Sequence, residues 1–333
     1  LLGTVCGLAS AVGYTAANAS LRAVAHCDPV WVACVKAFPT VALVGPFLLV
    51  RFWRRQERLP DWPTMRALVI AALVCQLLGN VVFQWSLGVI GMALTVPLTL
   101  GTMILGAAIM GRVFLHEPVT VPMAISLTIL IAAVFVLSLG ARHIPADSDR
   151  QSLEDVSPTK TAASLGNLAE RQSLEAGGLV RIVAGVGAAC LSGLAYALLG
   201  VVIRAVVTDT TSVAMTMVTV TVTGLVALGG LGLITPGISS ILNATRLEFS
   251  IMVLAGVFNA AAFLALTKAL QLVPVAHVNA VNATQAAMGA LAGVLIFAEP
   301  SSWQLWLGVG MTALGLMLMR RRRPQPDAPD PAD

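Results

Sequence analysis

Three apolar stretches of the chain carry polar side chains at helical spacing. Gln76, Asn80 and Gln84 fall at i, i+4 and i+8, Asn279, Asn282 and Gln285 at i, i+3 and i+6, and Ser10, Tyr14 and Asn18 make a third row. On a helix each row follows one side. Ser192, Tyr196 and Gly200 repeat the third row later in the chain, and Asn259 adds an isolated amide. Carboxamides and hydroxyls donate and accept hydrogen bonds without changing charge, so rows of them in apolar surroundings can replace the hydration of a small polar solute. They can also simply bond neighbouring helices. Such bonding does not require several amides aligned on one face, and the alignment favours a wet cavity that the rows surround.

Charge is placed as informatively as the amides. No Asp or Glu falls in the middle of an apolar stretch, since Glu117 and Glu299 lie at stretch ends and Glu248 at a stretch start. Exchange of protons for organic cations needs a buried carboxylate, so a cationic-drug antiporter is disfavoured, and a channel or divalent-cation transporter lacks its acidic ligands. Lys36 sits about 9 Å into its stretch at the helical rise. Its ammonium either snorkels to the interface or pairs with an anionic group such as a substrate carboxylate. Pro39, one turn on, frees backbone carbonyls and can kink the helix. Histidine titrates near neutral pH, but His277, just inside a stretch, reads first as an interfacial or packing residue. Glu117-Pro118 and Glu299-Pro300 read as helix starts, with Pro in the first turn and the carboxylate at the positive end of the macrodipole. The five cysteines, Cys6, Cys27, Cys34, Cys75 and Cys190, form no C-x-x-C pair, so neither a disulfide nor a metal centre is expected. H-E-x-x-H, G-x-S-x-G, Walker A and paired-Asp motifs are missing from the sequence, which argues against a membrane-embedded enzyme or an ATP-driven pump and implies no cofactor.

Only helices across a bilayer could hold such residues. With 57% of residues hydrophobic and 11% charged, and a mean hydropathy of +0.88, the composition excludes a soluble domain. At about 20 apolar residues per span, ten runs emerge, near 3–24, 30–50, 66–86, 92–115, 119–139, 179–203, 211–234, 249–270, 275–297 and 302–319. The chain begins at Leu1 rather than Met, which leaves room for residues upstream. The first run resembles a signal peptide, but its repeat partner at 185–206 is internal, so it is read as a true span. That partnership is direct: SAVGYTAANASLRAV (10–24) and SGLAYALLGVVIRAV (192–206) share Ser, Tyr, Arg, Ala and Val in register 182 residues apart, and Glu117-Pro118 recurs at the same separation as Glu299-Pro300.

The chain therefore reads as a tandem duplication, with a first five-span repeat over 1–139, a flexible linker over 140–178, a second repeat over 179–319, and a basic, then Pro/Asp-rich tail over 320–333. An odd number of spans per repeat turns the second half upside down and relates the halves by a pseudo-twofold axis in the membrane plane. The fold expected is an all-α polytopic membrane protein of ten transmembrane helices in two inverted repeats. Arg51, Arg54, Arg55, Arg58 and Arg66 and the run Arg320, Arg321, Arg322 and Arg323 fall on one side by span parity. Both termini are thus expected in the cytoplasm and 140–178 outside. The net charge of +4 is then a topology signal, not a sign of nucleic acid.

Two five-span repeats, Asp28-Pro29 opening the second span with Lys36 behind it, and a Glu-Pro closing the fourth span of each half in FLHEP and IFAEP, resemble the EamA-like transporters of the drug/metabolite transporter superfamily. The resemblance covers nearly the whole chain apart from the 140–178 loop and the tail. It implies a carrier of the bacterial inner membrane, commonly an exporter of amino acids or other small metabolites, with a central cavity between the halves. Lys36 stands where relatives usually carry Arg, and Val218 occupies the matching position of the second repeat, so a basic role is confined to the first half. The partners expected are a small-molecule substrate and the lipid bilayer, with a homodimer as an option and no nucleic acid. The reading from another class is a duplicated scaffold without transport.

Overall fold

The computed structural model describes residues 2–56, 59–114, 164–206, 212–235, 237–272, 284–299 and 302–319, with isolated positions between 125 and 136 and at 281. Regular structure among them is helical: α1 (Leu2–Ala23), α2 (Pro29–Trp53), α3 (Trp62–Ile90), α4 (Met92–Phe114), α5 (Ser164–Val206), α6 (Val213–Ile234), the short α7 (Ile238–Leu242), α8 (Arg246–Leu272), α9 (Thr284–Phe297) and α10 (Trp303–Met319). Local chemistry sets several of the starts. Asp28 Oδ1 accepts from the amides of Val30 and Trp31, each at 3.0 Å, ahead of Pro29 in the first turn of α2, and Ser212 Oγ accepts from Met215 N at the start of α6.

Six helical segments are long and apolar enough to cross a bilayer, Pro29–Trp53, Trp62–Ile90, Met92–Phe114, Gly178–Ile203, Val213–Ile234 and Arg246–Leu266. The others of the ten expected runs differ for identifiable reasons. In α1 the row of Ser10, Tyr14 and Asn18, with Thr4, Thr15, Ser20 and Arg22, dilutes an otherwise span-length helix. As described, α9 and α10 have 14 and 17 residues, and the run at 119–139 lies outside the described residues apart from isolated positions. The stretch expected as a flexible linker is helical from Ser164 and continues into α5 without a break. Leu165, Leu168, Ala169, Glu170, Leu174, Glu175 and Ala176 are strong helix formers there, which the reading by polarity alone overlooked.

The two repeats interleave with a definite symmetry. α1 packs on α8 and α3 on α5; α4 packs on α5 and α1 on α9; α2 packs on α8 and α3 on α6. Exchanging α1 with α5, α2 with α6, α3 with α8 and α4 with α9 follows the 182-residue register, and it converts each contact into the other member of its pair. The contacts of α2 with α6 and of α4 with α9 map onto themselves. Small residues permit the close crossings, as where Gly13 faces Ala262 and Gly7 faces Ala269, which also fixes α1 and α8 as antiparallel. One end of the molecule is filled by a buried apolar cluster of Leu21, Val24, Val32, Phe83, Leu87, Met92, Val96, Met252 and Ala255. It gathers the C-terminal ends of α1 and α3 and the N-terminal ends of α2, α4 and α8.

Candidate functional site

Against that apolar plug lies a cavity of about 350 Å³ between the repeats. Tyr14 and Asn18 reach it from α1, Lys36 and Thr40 from α2, Cys75, Gln76 and Asn80 from α3, Thr99 from α4, Tyr196 from α5, Thr221 from α6, Asn259 from α8 and Gln285 from α9. Away from the plug the wall continues through Ile203, Met217 and Leu266. Among the described lining residues Lys36 is the one charged side chain, and none is acidic.

A single amide organises the polar wall. Asn80 Oδ1 accepts from Lys36 Nζ at 2.6 Å and from the Tyr196 hydroxyl at 2.9 Å, while Asn80 Nδ2 donates to Gln76 Oε1 at 2.6 Å. Gln76 Nε2 in turn donates to Val220 O of α6 at 3.2 Å. The network ties α2, α3, α5 and α6 together across both repeats. Lys36 is 8% exposed, so its ammonium points inward and does not snorkel. An ammonium offers three donors, and the partner oxygen here is neutral. Among the described residues the site thus supplies a positive charge without a carboxylate to balance it, in surroundings where an uncompensated charge is costly. Phe83 meets the Tyr196 ring edge-on with centroids 6.3 Å apart, which steadies the phenol.

Not every residue of the sequence rows reaches this wall. A π-helical turn over Cys75–Val81 widens α3 between Gln76 and Gln84, and one extra residue in a turn rotates the rest of the helix by about 100°. Gln84 consequently leaves the cavity, and its Nε2 donates to Leu21 O at 2.9 Å. Ser10 and Ser192, equivalent by the repeat, are fully buried and absent from the wall, because each i+4 step overshoots a helical turn by about 40° and the row slants away. Asn279, Asn282, His277, Glu117, Pro118 and Pro300 lie outside the described residues. Sequence reasoning missed Cys75, Thr40, Thr99 and Thr221 on the wall. It also missed Gly256 of α8, where a Cβ would come within 2.7 Å of the Pro39 ring, so that glycine lets α8 approach α2 just beside Lys36.

The Glu-Pro motif plays a part that spacing did not foretell. The carboxylate of Glu299 does meet a helix N-terminus, but that of α4 instead of the following α10: it accepts from Met92 N at 2.8 Å and Ala93 N at 2.7 Å. Arg22 Nε donates to the same carboxylate at 2.7 Å, and the guanidinium lies 5.9 Å from the centre of the Phe297 ring. Ala298 at φ 50 turns the chain back after α9. Gly91, at φ 76, and Gly293 leave the seat open, since a Cβ on either would fall 2.6 Å or 2.5 Å from the carboxylate. Beside it, on the same end, folding brings His26, Cys27 and Glu248 together with donor atoms within 4.8 Å of one another, a cluster no local motif announces. Its carboxylate is already engaged, by His26 Nε2 at 2.6 Å and by Thr245 N and Oγ1 at 2.6 Å and 2.8 Å, so it caps α8 and ties it to the α1–α2 turn.

No curated protein matches the chain. The sequence profile of the EamA-like transporter family matches residues 1–139 and 183–321, one match to each half of the duplication, with the intervening segment left out. Those two matches cover most of the chain, and the helices they span include the six that are apolar enough to cross a bilayer. The chain is a multi-pass membrane protein that belongs to the EamA-like transporter family, within the drug/metabolite transporter superfamily.

Proposed function

We propose that this protein is a secondary carrier for small metabolites bearing a carboxylate, with amino acids as the leading class, and that it works as an exporter in a bacterial inner membrane. The observation that carries this reading is Lys36, an ammonium held in an amide- and phenol-lined cavity by the neutral oxygen of Asn80 at 2.6 Å. A substrate carboxylate completes that site by supplying the missing counter-charge, while Gln76, Asn80, Tyr14 and Tyr196 offer hydrogen bonds to the remainder of a polar solute. Asn18, Asn259 and Gln285 complete the pathway, and Asn279 and Asn282 extend it along the ninth span. A cavity with acid-free described walls suits neither divalent cations nor organic cations.

Transport in this reading proceeds by alternating access. Ten spans in two inverted repeats, with both termini and the 51–66 arginines in the cytoplasm, place the exchange axis of the helix contacts in the membrane plane. Swapping the conformations of the halves then carries the cavity from one face to the other. The test is flux in proteoliposomes loaded with a panel of amino acids and other carboxylates, with and without a pH gradient. Flux of a carboxylate-bearing solute is expected, falling by about tenfold or more in Lys36→Ala, the scale of a hydrogen bond to a charged group, and largely kept in Lys36→Arg. Flux confined to organic cations, or indifferent to Lys36→Ala at matched expression, overturns the proposal.

A further inference from the structure

The apolar plug accounts for closure of one end, yet it is crossed by a charged contact that neither packing nor the substrate site explains. Arg22 belongs to the first repeat and Glu299 to the second, and the carboxylate also holds the two leading amides of α4. We infer that the Arg22–Glu299 pair, seated on the Met92 and Ala93 amides, is the latch of the gate at the plugged end, made when that end is closed and broken in each transport cycle.

Four observations converge on it. First, the latch joins the repeats where they would have to part for solute to leave past Leu21, Phe83 and Met92. Second, its seat admits the carboxylate because Gly91 and Gly293 both lack the Cβ that would collide with it. Third, Glu299 is brought there by Ala298 in a left-handed conformation, which costs an alanine energy and is held by the bond from Glu299 N to Gly293 O at 3.1 Å together with the contacts of the Glu299 carboxylate. Releasing the carboxylate removes one of the two restraints on Ala298. Fourth, Arg22 is 26% exposed on its side chain and Glu299 8%, so the guanidinium reaches the surface of the protein while the carboxylate is covered beneath it. When that end opens, the guanidinium is already at the surface and the opening itself lets water reach the carboxylate, so the parted charges are hydrated.

The inference rests on the carrier reading, and its test separates the two. In a protein with its native cysteines replaced by serine, Val96→Cys places a thiol between plug and cavity. A membrane-impermeant thiol reagent is then added from the Arg22 side. Labelling is expected to be slow in the parent and to rise about tenfold or more in Arg22→Ala and in Glu299→Gln, as a minor open state becomes populated, with Arg22→Lys staying close to the parent. Separately, Arg22→Cys with Glu299→Cys, bridged by a short bis-methanethiosulfonate reagent, is expected to arrest flux, and reductant to restore it. A static brace would behave otherwise: unchanged labelling in both single variants, or full flux through the bridged protein, overturns the latch. Because labelling needs no substrate, a parent protein that labels as expected but moves no solute overturns the carrier reading and leaves the latch standing.

Discussion

Asn80 shows how a single residue resists a choice between structure and function. Its position in a row of amides was legible in the sequence, and so was the question of whether such a row lines water or bonds helices. Folded, it borders the cavity and bonds helices at once, because one oxygen serves Lys36 and Tyr196 while its nitrogen serves Gln76. Asn80→Leu is therefore expected to lower thermal stability by about 1–3 kcal/mol, the scale of stranding a polar partner, and to lose flux as well. Asn80→Asp separates the two effects. The carboxylate would satisfy Lys36 from within the protein and repel an anionic substrate, so flux should collapse while the melting temperature holds or rises; flux equal to the parent would remove the charge-pairing role of Lys36. The depth of Lys36 itself was not legible, because counting residues from a helix start gives height along the axis and says nothing of which neighbour faces the side chain.

At the scale of elements, periodicity located most helices but not the interruption that aims them. A strict α-helix would have put Gln76, Asn80 and Gln84 on one side, and the π turn over Cys75–Val81 sends Gln84 to the α1 backbone instead. Nothing in the local composition marks that turn except Gly79, whose missing side chain admits the Tyr196 ring; a Cβ there would lie 3.0 Å from Cε1. Deleting Gly79 is expected to restore α-helical register, rotate Asn80 out of the network, and abolish flux with little change in helical circular dichroism. Persistence of flux in the deletion would mean that the turn does not position the site. Glu299 teaches the complementary lesson. That a carboxylate before proline seeks a helix N-terminus was sound chemistry, but which terminus depends on a turn at Ala298 and on two distant glycines.

For the molecule as a whole, the duplication was the most legible feature, and the exchange of helix contacts follows its register element by element. The proposed inversion makes a direct prediction about sidedness. Cysteines introduced at Ser157 and Arg54 should react with impermeant reagent from opposite faces of intact cells, whereas reaction from one face would dismantle the inverted arrangement. The repeat is nonetheless unequal where the latch sits. Residues 182 positions after Gly91 and Met92 are Val273 and Pro274, and a proline has no N–H to give a carboxylate. In the proposed cycle, whatever closes the opposite face cannot reproduce this two-amide seat, so the two closed states would differ in free energy before any solute binds. Such a bias cannot pump, since a carrier at equilibrium obeys the gradient whichever way it rests. What it can do is make the empty protein wait facing one compartment. The half-saturating concentration should then differ between the two faces, and Glu299→Gln should narrow that difference when flux is measured in each direction.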